Sequence, residues 1–152
     1  MGDCYSAVLR VKLRENQRAA AVQKMLRQWM REEARGTDAS RGVRWSLSEL
    51  RRKGVRPDTF GGICKVLLAF NQGDARHRKD GDGFDVYCSG FNASYRWFSV
   101  MVRAFFKMAW ALEEGSYLEI DRDGGHDVYE ARNGDSGLTE VWENHRPPCE
   151  AR

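Results

Sequence analysis

Residues 117–143 read YLEIDRDGGHDVYEARNGDSGLTEVWE. Tyr117-Leu118-Glu119-Ile120-Asp121 has the composition of a strand, and Gly124-Gly125 marks a turn. Asp127 to Arg132 forms a second strand, Asn133-Gly134 is a short-hairpin signal, and Leu138 to Glu143 forms a third. This stretch predicts an antiparallel meander bearing Glu119, Asp121, Asp127, Glu130, Glu140 and Glu143.

The segments before it alternate in kind. From Tyr5 to Arg14, apolar residues at every second position predict a strand, with Arg10, Lys12 and Arg14 on its outer face. Residues 15–35 change to helical period. Val22, Met25, Leu26 and Trp29 share one face, and Lys24, Arg27, Arg31 and Arg35 share the other. Ser46-Leu47-Ser48-Glu49 fits a capping box for a short helix through Lys53. Asp58 or Thr59 caps another helix carrying Phe60, Ile63, Val66, Leu67 and Phe70. These two helices do not make a DNA reader, because the second offers Gly61, Gly62 and Lys65 where base-reading side chains would stand.

Residues 71–83 read as a polar loop, followed by a strand from Phe84 to Cys88. Asp80-Gly81-Asp82-Gly83 and Asp121-Arg122-Asp123 suggest calcium loops, but Phe91 and Arg132 occupy the twelfth positions where a bidentate Glu is needed. Both read as turns. Ser94 caps an apolar helix from Tyr95 to Leu112, with Phe98, Met101, Val102, Phe105, Met108, Ala109 and Leu112 on its core face. Arg96, Ser99, Arg103 and Lys107 form its polar face, flanked by Phe106 and Trp110. The expected fold is α+β, with helices packed on one face of a mostly antiparallel sheet that ends in a three-stranded meander. Residues 1–146 form a single domain and 147–152 a loose tail opened by Pro147-Pro148.

The chain has 152 residues, and no apolar run approaches the roughly 18 needed to span a bilayer. With no secretory leader either, a cytoplasmic protein without membrane contact is expected. Cys4, Cys64, Cys88 and Cys149 have neither redox nor zinc-finger spacing and read as reduced thiols. No Walker loop, GxSxG or HExxH occurs, so no cofactor, metal or catalytic residue is assigned. A Cys88–His126 pair across neighbouring strands is the one conceivable nucleophile–base arrangement.

Charge is the stronger signal. Residues 1–110 hold 21 Lys and Arg against 11 Asp and Glu, while residues 111–152 hold 4 against 11. Only six of the 25 basic residues are Lys. This polarity predicts adhesive surfaces for a charged partner.

The run Phe91-Asn92-Ala93-Ser94-Tyr95, with Trp97, Ser99-Val100-Met101, Phe105 and Leu112-Glu113-Glu114-Gly115-Ser116-Tyr117-Leu118-Glu119-Ile120, resembles a pattern in small proteins of bacteriophages and mobile elements. Arg96 and Phe98 depart from it, standing where the pattern has Gly and an acidic residue. Such proteins include or neighbour anti-CRISPR and other anti-defence inhibitors. The resemblance implies a non-enzymatic inhibitor that binds a protein subunit of a host nucleoprotein defence complex.

The residues expected to contact that partner are Lys24, Arg27, Arg31, Arg35, Arg103, Phe106, Lys107 and Trp110 on the basic helices, or Glu119 and Asp121 on the acidic meander. The meander would act by imitating phosphates in a cationic channel. Two alternatives are a DNA- or RNA-binding module using Arg10, Lys12, Arg14, Lys24, Arg27, Arg31 and Arg51 to Lys53, and a metal-dependent nuclease using Glu119 and Asp121.

Overall fold

The computed structural model describes residues 3–33, 58–68, 75–93, 95–122 and 124–146. The expected helix at 46–53, Ser94 as a helix cap, Arg35 and the tail at 147–152 lie outside them. Among the described residues, β1 (Asp3–Val11), α1 (Ala19–Glu33) and α2 (Phe60–Leu68) are followed by β2 (Arg76–Lys79) and β3 (Asp85–Ala93). Then come α3 (Tyr95–Met108), a 3-10 turn (Ala109–Ala111), β4 (Tyr117–Arg122), β5 (Gly125–Asn133) and β6 (Thr139–Arg146). The six strands form one antiparallel sheet in the order β2-β3-β1-β4-β5-β6. This is the expected α+β fold, and β4, β5 and β6 are its terminal meander.

Alternation along the strands decides which face is covered. Ala7, Leu9 and Val11 of β1, Leu118 and Ile120 of β4, and Tyr129 and Ala131 of β5 are buried. The register aligns Leu9 with Tyr87, Leu118 and Tyr129, so these residues share one face. Against it lie α2, on β1 and β3, and α3, on β3; α1 packs on α2 and α3. The core includes Val22, Leu26 and Met30 of α1, Ile63 and Leu67 of α2, and Met101, Phe105 and Met108 of α3. Fully burying each such large side chain is worth about 1.5–3 kcal/mol.

Local chemistry sets the element ends. Glu15 and Asn16 form a turn closed by the Gln17 N–H on the Arg14 carbonyl, so α1 begins later than its hydrophobic period suggests. Thr59 is the cap of α2, its Oγ1 accepting the Gly62 N–H at 2.9 Å. The helix expected to run to Leu112 tightens after Met108, because Leu112 is extended and bridges Leu13 beside β1.

Three expectations need correction. The polar loop at 71–83 contains β2, an edge strand whose four residues are all exposed and therefore show no alternation. The strand expected at Phe84–Cys88 continues to Ala93, because the nine-residue β1 pairs with it from Val11↔Asp85 to Asp3↔Ala93. Asn133-Gly134 does not make a two-residue turn. The Gly134 N–H reaches the Leu138 carbonyl at 2.7 Å, and Gly137 carries the positive φ of +81°.

Candidate functional site

The face of the sheet away from the helices is organised by Arg10. Its guanidinium lies 3.6 Å from the centroid of the Phe84 ring and donates to Asp80 at 3.1 Å, Asp82 at 2.6 Å and the Gly115 carbonyl at 3.0 Å. The hydrogen bond from Arg10 is the main cause holding the Asp80 carboxyl below its ordinary range. Lys12 pairs with Glu113 at 3.5 Å, and Arg14 donates to the Leu112 carbonyl, Asn133 and Thr139. The strand expected to reach Arg14 ends at Val11, and Arg10 within it and Lys12 and Arg14 just after it are all engaged within the molecule. The alternating aspartates of the β2–β3 turn are partners for arginine.

Glu119 and Asp121 of β4 point to this same face, where Asp121 stands opposite His126 of β5. One ligand-capable atom from each of Glu119, Asp121 and His126 lies within 4.8 Å of the others. His126 Nε2 is 3.5 Å from Glu119 Oε2, and Nδ1 is 3.6 Å from Asp121 Oδ1. Beside them is an open depression of about 430 Å³ lined by Glu119, His126, Val128, Glu130, Arg132 and Trp142, among others. The Arg132 guanidinium stacks 4.3 Å from the Trp142 ring and donates to Glu130 at 3.1 Å.

The meander acids do not share one surface. Asp127 is buried on the helix-facing side and is held by His145 Nδ1 at 2.6 Å. That hydrogen bond is the main cause raising the His145 pKa. The Cys88–His126 pairing does not form: β1 and β4 lie between their strands, a separation of about 14 Å at sheet spacing.

The helical layer brings together part of the expected basic surface. Lys24 and Lys107 line a groove of about 490 Å³ between α1 and α3, with Met25, Gln28 and Trp29. Phe106 is 43% exposed, with its ring edge-on to Tyr129 at 6.1 Å, and Trp110 is 47% exposed. Arg103, Phe106, Lys107 and Trp110 follow helical spacing along α3 and its 3-10 extension, and Arg103 is half-buried. Arg27 lies 3.9 Å from Asp58, which commits it to a contact between α1 and the start of α2. Arg31 lies in α1.

His126 is the site residue that the sequence reading does not join to Glu119 and Asp121, since it stands there only as the base of a conceivable pair with Cys88. The signal is positional: Gly125 is already paired with Arg122, which brings His126 into β5 directly across from Asp121. Among the described residues no helix is long and apolar enough to cross a membrane. No family model, curated protein or solved structure matches the chain.

Proposed function

We propose that the chain is a non-catalytic interaction protein whose α1–α3 face binds an acidic protein surface. The observation that carries this reading is the convergence of Lys24 and Lys107 on a groove containing Met25 and Trp29, next to the exposed Phe106 and Trp110. Large aromatic rings supply apolar contact area, and neighbouring ammonium groups select an anionic counterpart. The resemblance of residues 84–121 to phage and mobile-element proteins supports a subunit of a host nucleoprotein defence complex as that counterpart. Inhibition in this reading is stoichiometric.

Capture of that subunit from nuclease-treated host lysate tests the proposal. Trp110→Ala and Phe106→Ala are each expected to weaken capture about tenfold or more. The double charge reversal Lys24→Glu with Lys107→Glu should abolish it, and salt should weaken it. Capture indifferent to all these substitutions and to salt would refute the reading.

A nucleic-acid-binding module is the second reading, favoured by the exposed basic run Arg76–Lys79 at the sheet edge. Recovery of nucleic acid alone, with shifts of generic DNA or RNA at low salt, would replace the first reading with this one.

A further inference from the structure

We propose that Glu119, Asp121 and His126 form a binding site for a divalent transition-metal ion on the uncovered face of the sheet. The proposal is independent of the α1–α3 surface and uses none of its residues.

The separations are the first argument. At 3.5 and 3.6 Å, the contacts of His126 with the two carboxylates are too long for good hydrogen bonds. The 3.5 Å from Nε2 to Glu119 matches one edge of a coordination tetrahedron, which is about 3.4 Å when the metal–ligand bonds are about 2.0–2.2 Å, whereas Asp121 stands nearest the other ring nitrogen. The three donor atoms lie within 4.8 Å of one another. Asp121, with its side chain 60% exposed, has room to turn inward.

The second argument is an orphaned nitrogen. His126 Nε2 is withdrawn from solvent and has no hydrogen-bond partner. A buried ring nitrogen ordinarily finds one. The same meander builds such a bond at His145, which also lies between two carboxylates: its Nδ1 is 2.6 Å from Asp127 and its Nε2 is 3.5 Å from Glu143. His145 thus makes a hydrogen bond, whereas His126 Nε2 is left without one beside Glu119.

The donor chemistry selects the ion. One imidazole and two carboxylates offer one nitrogen and two oxygens, and their two negative charges neutralise a dication. Such a mixed set suits Zn²⁺ and its first-row neighbours better than Mg²⁺ or Ca²⁺, which favour oxygen alone. Three protein ligands leave at least one position open beside the depression containing Glu130, Arg132 and Trp142.

The test is calorimetric titration of the untagged full chain with Zn²⁺, together with visible absorption on adding Co²⁺. One equivalent should bind. His126→Gln and Glu119→Gln should each weaken binding tenfold or more, as should Asp121→Asn at its exposed position. His145→Gln should bind as the parent does. Circular dichroism of each variant separates lost binding from lost folding, and equimolar Mg²⁺ should not compete. Absence of saturable binding would overturn the proposal. So would binding that survives the double substitution Glu119→Gln with His126→Gln, or a thiolate-to-cobalt charge-transfer band placing the ion on cysteine.

Discussion

Phe105 and Phe106 are adjacent in sequence, but α3 gives them opposite surroundings. Phe105 is fully buried in the core, whereas Phe106 is 43% exposed and touches Tyr129 edge-on. Truncating Phe105 to Ala removes its burial free energy and opens a cavity between α3 and the sheet, an expected loss of about 3–5 kcal/mol. Truncating Phe106 forfeits the edge-on aromatic contact, about 0.5–1.5 kcal/mol, plus a fraction of its exposed area. For a domain of this size, the first substitution should lower the midpoint of thermal unfolding by roughly 6–20 °C and the second by only a few degrees. A loss of 5 kcal/mol can exceed the whole stability of a marginal domain. Phe105→Leu, costing about 1–1.5 kcal/mol, keeps the comparison measurable if the alanine variant does not fold. Urea unfolding followed by circular dichroism supplies the free energies. Equal costs at the two positions, or a larger cost at Phe106, would refute the assigned faces of α3 and the exposed aromatic surface built on them.

Replacing Arg10 with Met should lower the urea midpoint at neutral pH, because Asp82 loses its ion pair and Asp80 keeps only Arg78. Asp80 is held below its ordinary pKa, chiefly by the hydrogen bond from Arg10, so its contribution is present above the unfolded value. That contribution disappears as pH falls through the folded value, so the gap between the Arg10→Met and parent midpoints should narrow well below about pH 4, leaving the part due to the Phe84 and Gly115 contacts. The sign reverses at His145, whose pKa is raised mainly by its hydrogen bond with Asp127. Its stabilisation is full below about pH 6.5 and is lost as pH rises through the folded value, so the midpoint advantage over His145→Gln should shrink as pH rises above about 6.5. Burial pushes the Cys64 thiol well above its ordinary pKa. Alkylation mapped by mass spectrometry should therefore modify the partly accessible Cys88 before Cys64, with Cys64 reacting only on unfolding.

The parts legible from sequence are those where one repeating pattern decides. The period of two in β1 places Ala7, Leu9 and Val11 inside, and the helical period places Met101, Phe105 and Met108 inside. Arg76–Lys79 gives no such signal, because an edge strand with four solvent-facing side chains has no apolar half; its identity comes from pairing with β3. Charge shows the same limit. Arg10 and Lys12 read as an outward basic row, but their partners Asp80, Asp82 and Glu113 lie at least 70 residues away along the chain and meet them only in the folded sheet. Lys24 and Lys107 were readable singly, and the groove that joins them follows from the packing of α1 on α3. Asp121 and His126 meet through the register of the β4–β5 hairpin, which Gly125 fixes by pairing with Arg122.

The position of β1 has a consequence for the order of synthesis. β1 is synthesised before both of the strands that flank it and must wait for them: Val11 pairs with Asp85, and Tyr5 with Arg122. Such distant closures slow folding. The chain from β1 through β4 must emerge before β1 has both partners, so a nascent chain stalled ahead of β4 would carry β1 with one edge still unsatisfied and open to unintended pairing.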